Sequence, residues 1–198
     1  MKVLELIVQN KQEAMEAEKL GAHRLELVSA MKEGGLTPSY GTIKQVIKSV
    51  KIPVQIMVRP HSYHFSYTKD DFNVICEDIH MITELGSNRI VFGAIHKDGT
   101  VNEEMLNEII EKFPTINITF HRAFDEVVSQ ESAYRTLLKY KQHVKRILTS
   151  GGESNCMKGK DKLAKLVKLS HEKDGPIIMP GSGLSPNNIA YIHETVGA

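Results

Sequence analysis

The sequence predicts an α/β protein of the TIM-type (β/α) barrel class, with seven readable β/α units and an eighth strand that is missing or incomplete in this chain. Short β-rich runs alternate with longer amphipathic stretches, a pattern typical of parallel strands joined by crossover helices. Leu20-Gly21 and Leu85-Gly86 each end a helical stretch just before a strand, where glycine can take the left-handed conformation. Because no low-complexity linker interrupts this order, we expect a single domain over residues 1–198.

The first four strands are predicted from short apolar alternations. Leu-Glu-Leu occurs in both the first strand, Val3–Val8, and the second, Arg24–Val28. The third, Val54–Val58, alternates valine and isoleucine with Gln55 and Met57, and the fourth is the run Arg89–Phe92. Each is followed by a helical stretch, and the helix after the second strand is expected to begin with Thr37 as N-cap and Pro38 behind it.

The last three strands follow the same logic. Ile116–His121 alternates apolar and polar residues, whereas Arg146–Thr149 and Pro176–Met179 are short β-rich runs that follow a helical stretch. Cys156 is predicted to start the sixth helix. Ser185 with Pro186 has the residue types of an N-cap and first helical position, so the seventh helix is expected to start there.

Composition excludes several function classes. The 198 residues carry 25 Lys and Arg against 24 Asp and Glu, a net charge of +1 without a long run of one sign, which argues against a nucleic-acid surface. No apolar run approaches the roughly 20 residues of a membrane span. Two distant cysteines and no secretory leader favour a reducing, cytoplasmic compartment. A small-molecule partner therefore fits best.

Strand parity predicts a polar barrel interior. Helices cover the outside of such a barrel, so the less apolar face of each strand points inward; this places Glu5, Glu26, Arg59 and His121 inside. In a functional interpretation, the catalytic candidates are His121, Glu5 and Glu26, and His121 transfers a proton. Arg59 would then bind an anionic substrate. A structural interpretation is that the charged groups and Gln55 only neutralise one another.

Two glycine-rich loops follow the sixth and seventh strands, TSGGESN at 149–155 and MPGSGLSPNN at 179–188. The backbone amides of Gly151, Gly152, Gly181 and Gly183 are candidates to hold an anion. After the fifth strand, Asp125 is placed to pair with Arg122. His61 and His64 lie in a loop whose spacing imposes no metal geometry, and the HExxH, P-loop, GxGxxG and GxSxG motifs are absent.

Several runs together resemble the CutC family of copper homeostasis proteins: SAMKEGGLTPSYG, MVRP, GSNRIVFGA, TFHRAFD, RILTSGG and MPGSG. The resemblance covers nearly the whole chain and implies a (β/α)₈-type barrel, a cytoplasmic location, a homodimer or larger homo-oligomer, and an association with copper tolerance and copper binding. Its site positions are retained here at Glu5, Glu26, Arg59, His121, Arg122, Asp125, Ser150, Gly151, Gly152 and Gly181.

The chain departs from this family at two positions where cysteine is common, which here hold Ile7 and Val28. Thiolates are the ligands that Cu(I) prefers, so their loss weakens a direct copper role and leaves any divalent metal unspecified. Three hypotheses follow. The chain handles copper, or it is a barrel enzyme acting on a small anionic or phosphorylated metabolite, or it is a non-catalytic assembly protein.

Overall fold

The computed structural model describes residues 3–198 and divides into two compact units. Among these residues, the first unit comprises 3–92 with Phe113–Ile116, and the second comprises Gly93–Lys112 with Asn117–Ala198. Strands and helices alternate along the chain as the sequence predicts. None of the helices in the described part of the chain combines the length and the apolar character that crossing a membrane requires.

The first unit contains four parallel strands in sequence order. Its elements are β1 (Glu5–Val8), α1 (Lys11–Lys19), β2 (Arg24–Leu27), a 3₁₀ turn (Met31–Glu33), α2 (Tyr40–Ser49), β3 (Val54–Met57), α3 (Lys69–Glu84) and β4 (Arg89–Phe92). The longest helix of this unit, α3, begins with a complete capping box, in which Thr68 and Asp71 exchange side-chain to backbone hydrogen bonds. Ile75, Ile79 and Ile82 of α3 are fully buried, which follows from their helical spacing.

The second unit contains three parallel strands in sequence order. Its elements are α4 (Glu103–Lys112), β5 (Asn117–Phe120), a 3₁₀ turn (Arg122–Asp125), α5 (Gln130–Leu138), β6 (Val144–Thr149), α6 (Cys156–Lys173), β7 (Ile177–Pro180) and α7 (Ile189–Val196). Tyr134 of α5 is fully buried, and its hydroxyl donates to the carbonyl of Pro176 at 3.3 Å, directly before β7. Cys156 starts α6 as predicted.

Two predicted helix starts were wrong by a few residues. Helix α2 is capped by Ser39, not by Thr37, because Thr37 is already engaged with the segment after β3: its amide donates to the carbonyl of Arg59, and its hydroxyl accepts from the amide of Arg59. Helix α7 starts after Asn188, because Ser185 to Asn188 first form a separate turn. In both cases the predicted cap residue makes other hydrogen bonds, so the helix begins at a later residue.

Strand β1 is unusually exposed for a parallel strand. Within the described chain it pairs with β2. Val3, Leu4, Leu6 and Ile7 are 51%, 36%, 36% and 49% exposed, so apolar side chains from both faces of this segment contact water. Strands of parallel sheets are normally covered on both faces.

Candidate functional site

Three ionisable side chains of β1 and β2 meet in the first unit. Glu5 lies opposite Arg24 in the strand register, and the Nε of Arg24 donates to the carboxylate of Glu5. Glu26 is 4% exposed and lies on the same strand as Arg24. Burial, and then repulsion from Glu5, raise the pKa of Glu26 from 4.5 to about 8, and attraction to Arg24 opposes them. Burial beside Glu5 therefore favours the protonated, neutral form of Glu26.

Gln55 lies opposite Glu26 in the register of β2 and β3 and is fully buried. One position further along the same face, Val28, Met57 and Val91 form a buried apolar cluster. The structure thus gives the first unit a polar layer of Glu26 and Gln55, adjoined by an apolar layer. The sequence predicted the burial of Glu5 and Glu26, whereas the partnership of Glu5 with Arg24 required the register.

The residues present do not form a soft copper site. Val28 packs in the apolar cluster, Ile7 is half exposed, and Cys76 lies on α3. The Sγ of Cys156 donates to the carbonyl of Gly181, and burial raises the pKa of this thiol to about 11, which disfavours the thiolate that binds a metal. Within residues 3–198 no three His, Cys, Asp or Glu side chains are grouped so that they could hold a metal ion.

Arg59 follows β3 and is buried, at 7% exposed. Its Nη1 donates to the carbonyls of Glu33 and Gly35 at 3.2 and 3.3 Å, and its Nη2 donates to the carbonyl of Ser62 at 3.2 Å. The guanidinium also lies over the ring of Phe65, 4.5 Å from its centroid. Arg59 therefore holds together the loops after β2 and β3.

Among the described residues, Arg59 forms no direct ion pair with a carboxylate. None of the ion pairs found among the described residues includes Arg59, and its buried Nε has no hydrogen-bond partner there. A guanidinium carries five N–H donors, of which carbonyls take three, so the Nε hydrogen and one Nη2 hydrogen remain. Burying a cation without a counter-charge is costly, so this arrangement indicates a place for an anion.

In the second unit, the His121 side chain is buried directly after β5. It is 3% exposed, and its Nδ1 accepts a hydrogen bond from the amide of Ala123 at 3.1 Å. In the neutral ring the proton therefore lies on Nε2. A Cβ at Gly93 would lie 2.7 Å from this Nδ1, so only glycine lets the chain pass so close to the imidazole. The sequence interpretation missed Gly93, although it lies directly after a predicted strand.

Asp125 organises the loop after β6. Its carboxylate pairs with the Nε of Arg122 at 2.8 Å, as the sequence predicted, and it also accepts from the hydroxyl of Thr149 at 2.5 Å. The amides of Ser150 and Gly152 donate to it at 3.1 and 3.0 Å. The glycine-rich loop therefore does hold an anion, but that anion is the protein's own Asp125. An external anion would have to displace it.

The other predicted loop positions also have internal partners. The amide of Gly151 donates to the hydroxyl of Thr149, and the amide of Gly181 donates to the Thr149 carbonyl, both at 2.9 Å. Gly183 has a positive φ of 73°, and a Cβ there would lie 2.9 Å from that of Asn155, the N-cap of α6. These glycines permit close packing of the loops around the start of α6.

Comparison with known proteins identifies relatives along the whole chain. The model of the CutC family matches residues 2–198. A protein of Klebsiella pneumoniae (strain 342) that is described as a CutC family protein is 40% identical to this chain over 192 residues. These residues are 97% of this chain and 76% of the relative. A protein of Enterobacter sp. (strain 638) with the same description is 38% identical over 189 residues, which are 96% of this chain and 74% of the relative.

A solved structure shows the same fold. The crystal structure of a protein described as copper homeostasis protein CutC from Streptococcus agalactiae matches with a TM-score of 0.91 at 26% identity, covering 100% of this chain and 96% of the other. More distant TIM-barrel enzymes also match, and this similarity supports the fold class only. The predicted TIM-type (β/α) class, with seven strands in the described residues, is confirmed.

Proposed function

The chain belongs to the CutC family, and from this premise we propose that it acts in copper homeostasis by binding a small anionic ligand beside Arg59. The observation that carries this proposal is the buried Arg59 guanidinium, which forms no direct ion pair among residues 3–198 and has two N–H donors left over. A carboxylate or phosphate oxygen would satisfy those donors and neutralise the charge.

The anion is proposed at Arg59 and not at the glycine-rich loop because the two sites differ in charge balance. Arg122 is paired with Asp125, and the loop amides donate to the same carboxylate. Arg59 donates only to neutral carbonyl oxygens. Charge neutralisation therefore favours an added anion at Arg59 and opposes one beside Asp125.

The test compares anions against wild type and matched variants by thermal shift and calorimetry. Inorganic phosphate, sulfate and acetate should raise the melting temperature saturably above a chloride control of equal ionic strength. Arg59→Lys should abolish this effect, because lysine cannot supply the second parallel donor. Arg135→Lys, on the exposed face of α5, should leave it unchanged. If none of the three anions binds wild type, the proposal is refuted. This outcome does not depend on whether Arg59→Lys is stable.

Copper itself needs a separate measurement. Titration of Cu(I) under reducing conditions, against a competing chelator, should give wild type an affinity no higher than that of an unrelated control protein. The double variant Ile7→Cys, Val28→Cys adds the soft ligands that Cu(I) prefers and should bind more tightly. Tight stoichiometric binding by wild type would show that its role runs through a copper site and not through an anion alone.

A second candidate function is proton transfer by His121. The observation that favours it is the fixed tautomer, in which Ala123 occupies Nδ1 and leaves the proton on Nε2. Turnover of an anionic metabolite that His121→Gln abolishes, while folding and anion binding persist, would support an enzyme. Unchanged turnover in that variant would remove His121 from the chemistry.

Two further expectations remain proposals. We propose that the chain forms a homodimer or larger homo-oligomer, which light scattering after size-exclusion chromatography would measure. We also propose a cytoplasmic location, which cell fractionation would measure.

A further inference from the structure

A ladder of aromatic rings runs from the core of the first unit to solvent. It starts at Phe92 of β4, which is fully buried, and continues to Tyr67, which is 7% exposed, with ring centroids 6.2 Å apart and nearly parallel planes. His61 follows at 5.4 Å from Tyr67. Tyr63 stacks on His61 at 5.1 Å, with an interplanar angle of 23°, and is 84% exposed. We call these four residues the ring ladder.

The ring ladder is held in place at His61. The Nε2 of His61 lies 3.5 Å from a carboxylate oxygen of Asp71, which itself belongs to the capping box of α3. The ring of His64 meets His61 edge to face at 4.9 Å. Tyr63 therefore stacks with one face on a supported imidazole, while most of its surface is open to solvent. A ring with one face stacked and the other open to solvent offers a stacking platform to a ligand.

The platform adjoins the proposed anion site. Ser62 lies between His61 and Tyr63 in the chain, and its carbonyl accepts from the Nη2 of Arg59 at 3.2 Å. The same loop thus ties down the guanidinium that has donors left over and presents the outermost ring of the ladder. One loop therefore carries a feature that suits an anionic group and a feature that suits a planar ring.

We propose that the site takes an anionic ligand that carries a planar heteroaromatic ring, of the nucleoside monophosphate class, with its phosphate at Arg59 and its ring stacked on Tyr63. This inference rests on the proposed anion site at Arg59 and adds the chemical class of the ligand. Stacking on one tyrosine face tolerates any base, because every base has a π face. The site should therefore distinguish ligands with a ring from ligands without one, and purine from pyrimidine only weakly.

Calorimetric titration with three probes tests the inference: adenosine monophosphate, ribose 5-phosphate and inorganic phosphate. Adenosine monophosphate should bind wild type about tenfold more tightly than ribose 5-phosphate, which is the order of one base–aromatic stack. Tyr63→Ala should remove this advantage and leave ribose 5-phosphate binding unchanged, whereas Tyr63→Phe should retain it. Tyr40→Ala, at another exposed tyrosine of the same unit, should change neither affinity.

The outcomes separate the two proposals. Equal affinities for adenosine monophosphate and ribose 5-phosphate would overturn the ring site while leaving the anion site at Arg59 intact. An advantage that survives in Tyr63→Ala would also overturn it, since the ring would then stack elsewhere. Failure of all three probes to bind would overturn both proposals. Because Tyr63 is 84% exposed, its variants should fold, which their unchanged melting temperatures would confirm.

Discussion

Replacing Glu26 by glutamine should change how the stability of the protein depends on pH. In the folded protein the pKa of Glu26 is raised to about 8, while in the unfolded chain it returns to its ordinary value of 4.5. Between these values the folded state holds a proton that the unfolded state has released. A group with a raised pKa in the folded state makes the protein less stable as pH rises through this window.

The magnitude follows from the width of the window. One proton of difference corresponds to about 1.4 kcal/mol for each pH unit, so about 4 kcal/mol of stability should be lost between pH 5 and pH 8 through this one side chain. Domains are commonly stable by only about 5–15 kcal/mol, so this is a large share. Glu26→Gln keeps the shape of the side chain and removes the titration.

Urea unfolding at half-unit steps from pH 5 to pH 8 would measure the effect. The quantity of interest is the difference in unfolding free energy between Glu26→Gln and wild type, because other titrating groups cancel in it. This difference should rise with pH in favour of the variant and level off above pH 8. Glu77→Gln, at an exposed position of α3, should follow wild type throughout. Parallel curves for Glu26→Gln and wild type would refute the reasoning.

Three other changes have defined outcomes. Asp125→Asn should lower the unfolding free energy by about 1–3 kcal/mol, because the loop amides lose their buried carboxylate, while the ion pair with Arg122 adds little since Arg122 is 41% exposed; an unchanged urea midpoint would contradict this. Gly93→Ala should displace the His121 ring and cost about 1–3 kcal/mol, seen as a shifted imidazole proton resonance. The control Gly41→Ala, in the first turn of α2, should not destabilise the protein and could add up to about 1 kcal/mol, because its added Cβ meets no atom within 4 Å. Native Cys156 should resist alkylation at pH 8 because the pKa of its thiol is about 11, and labelling as fast as in the unfolded chain would contradict that.

The strands could be predicted from the sequence because alternating strand residues and helix-ending glycines are signals carried by neighbouring residues. Each predicted strand overlaps an observed one to within about two residues at either end, and Cys156 starts α6 as predicted. Thr37 shows where local signals fail. Threonine before proline has N-cap chemistry, but the hydrogen bonds of Thr37 with Arg59 are made between distant parts of the chain.

Among the contacts of the candidate residues, only those between near neighbours in the chain could be predicted from the sequence. Arg122 and Asp125 are three residues apart, so their pairing could be inferred from the chain. The amides of Ser150 and Gly152 reach Asp125 across more than 20 residues, so no local pattern could show that the loop holds its own anion. The ring ladder was missed for the same reason, since its innermost ring lies on β4 while its other rings lie in the loop after β3.

The exposed strand β1 has a consequence for how the first unit opens. An edge strand with apolar side chains in water on both faces gains little from burial, so its amides should be among the first in this unit to exchange with deuterium. When β1 detaches it takes Glu5 with it and admits water to Glu26, which then releases its proton above pH 5. Local opening should therefore release a proton, and mildly alkaline solution should speed exchange beyond its ordinary catalysis by hydroxide.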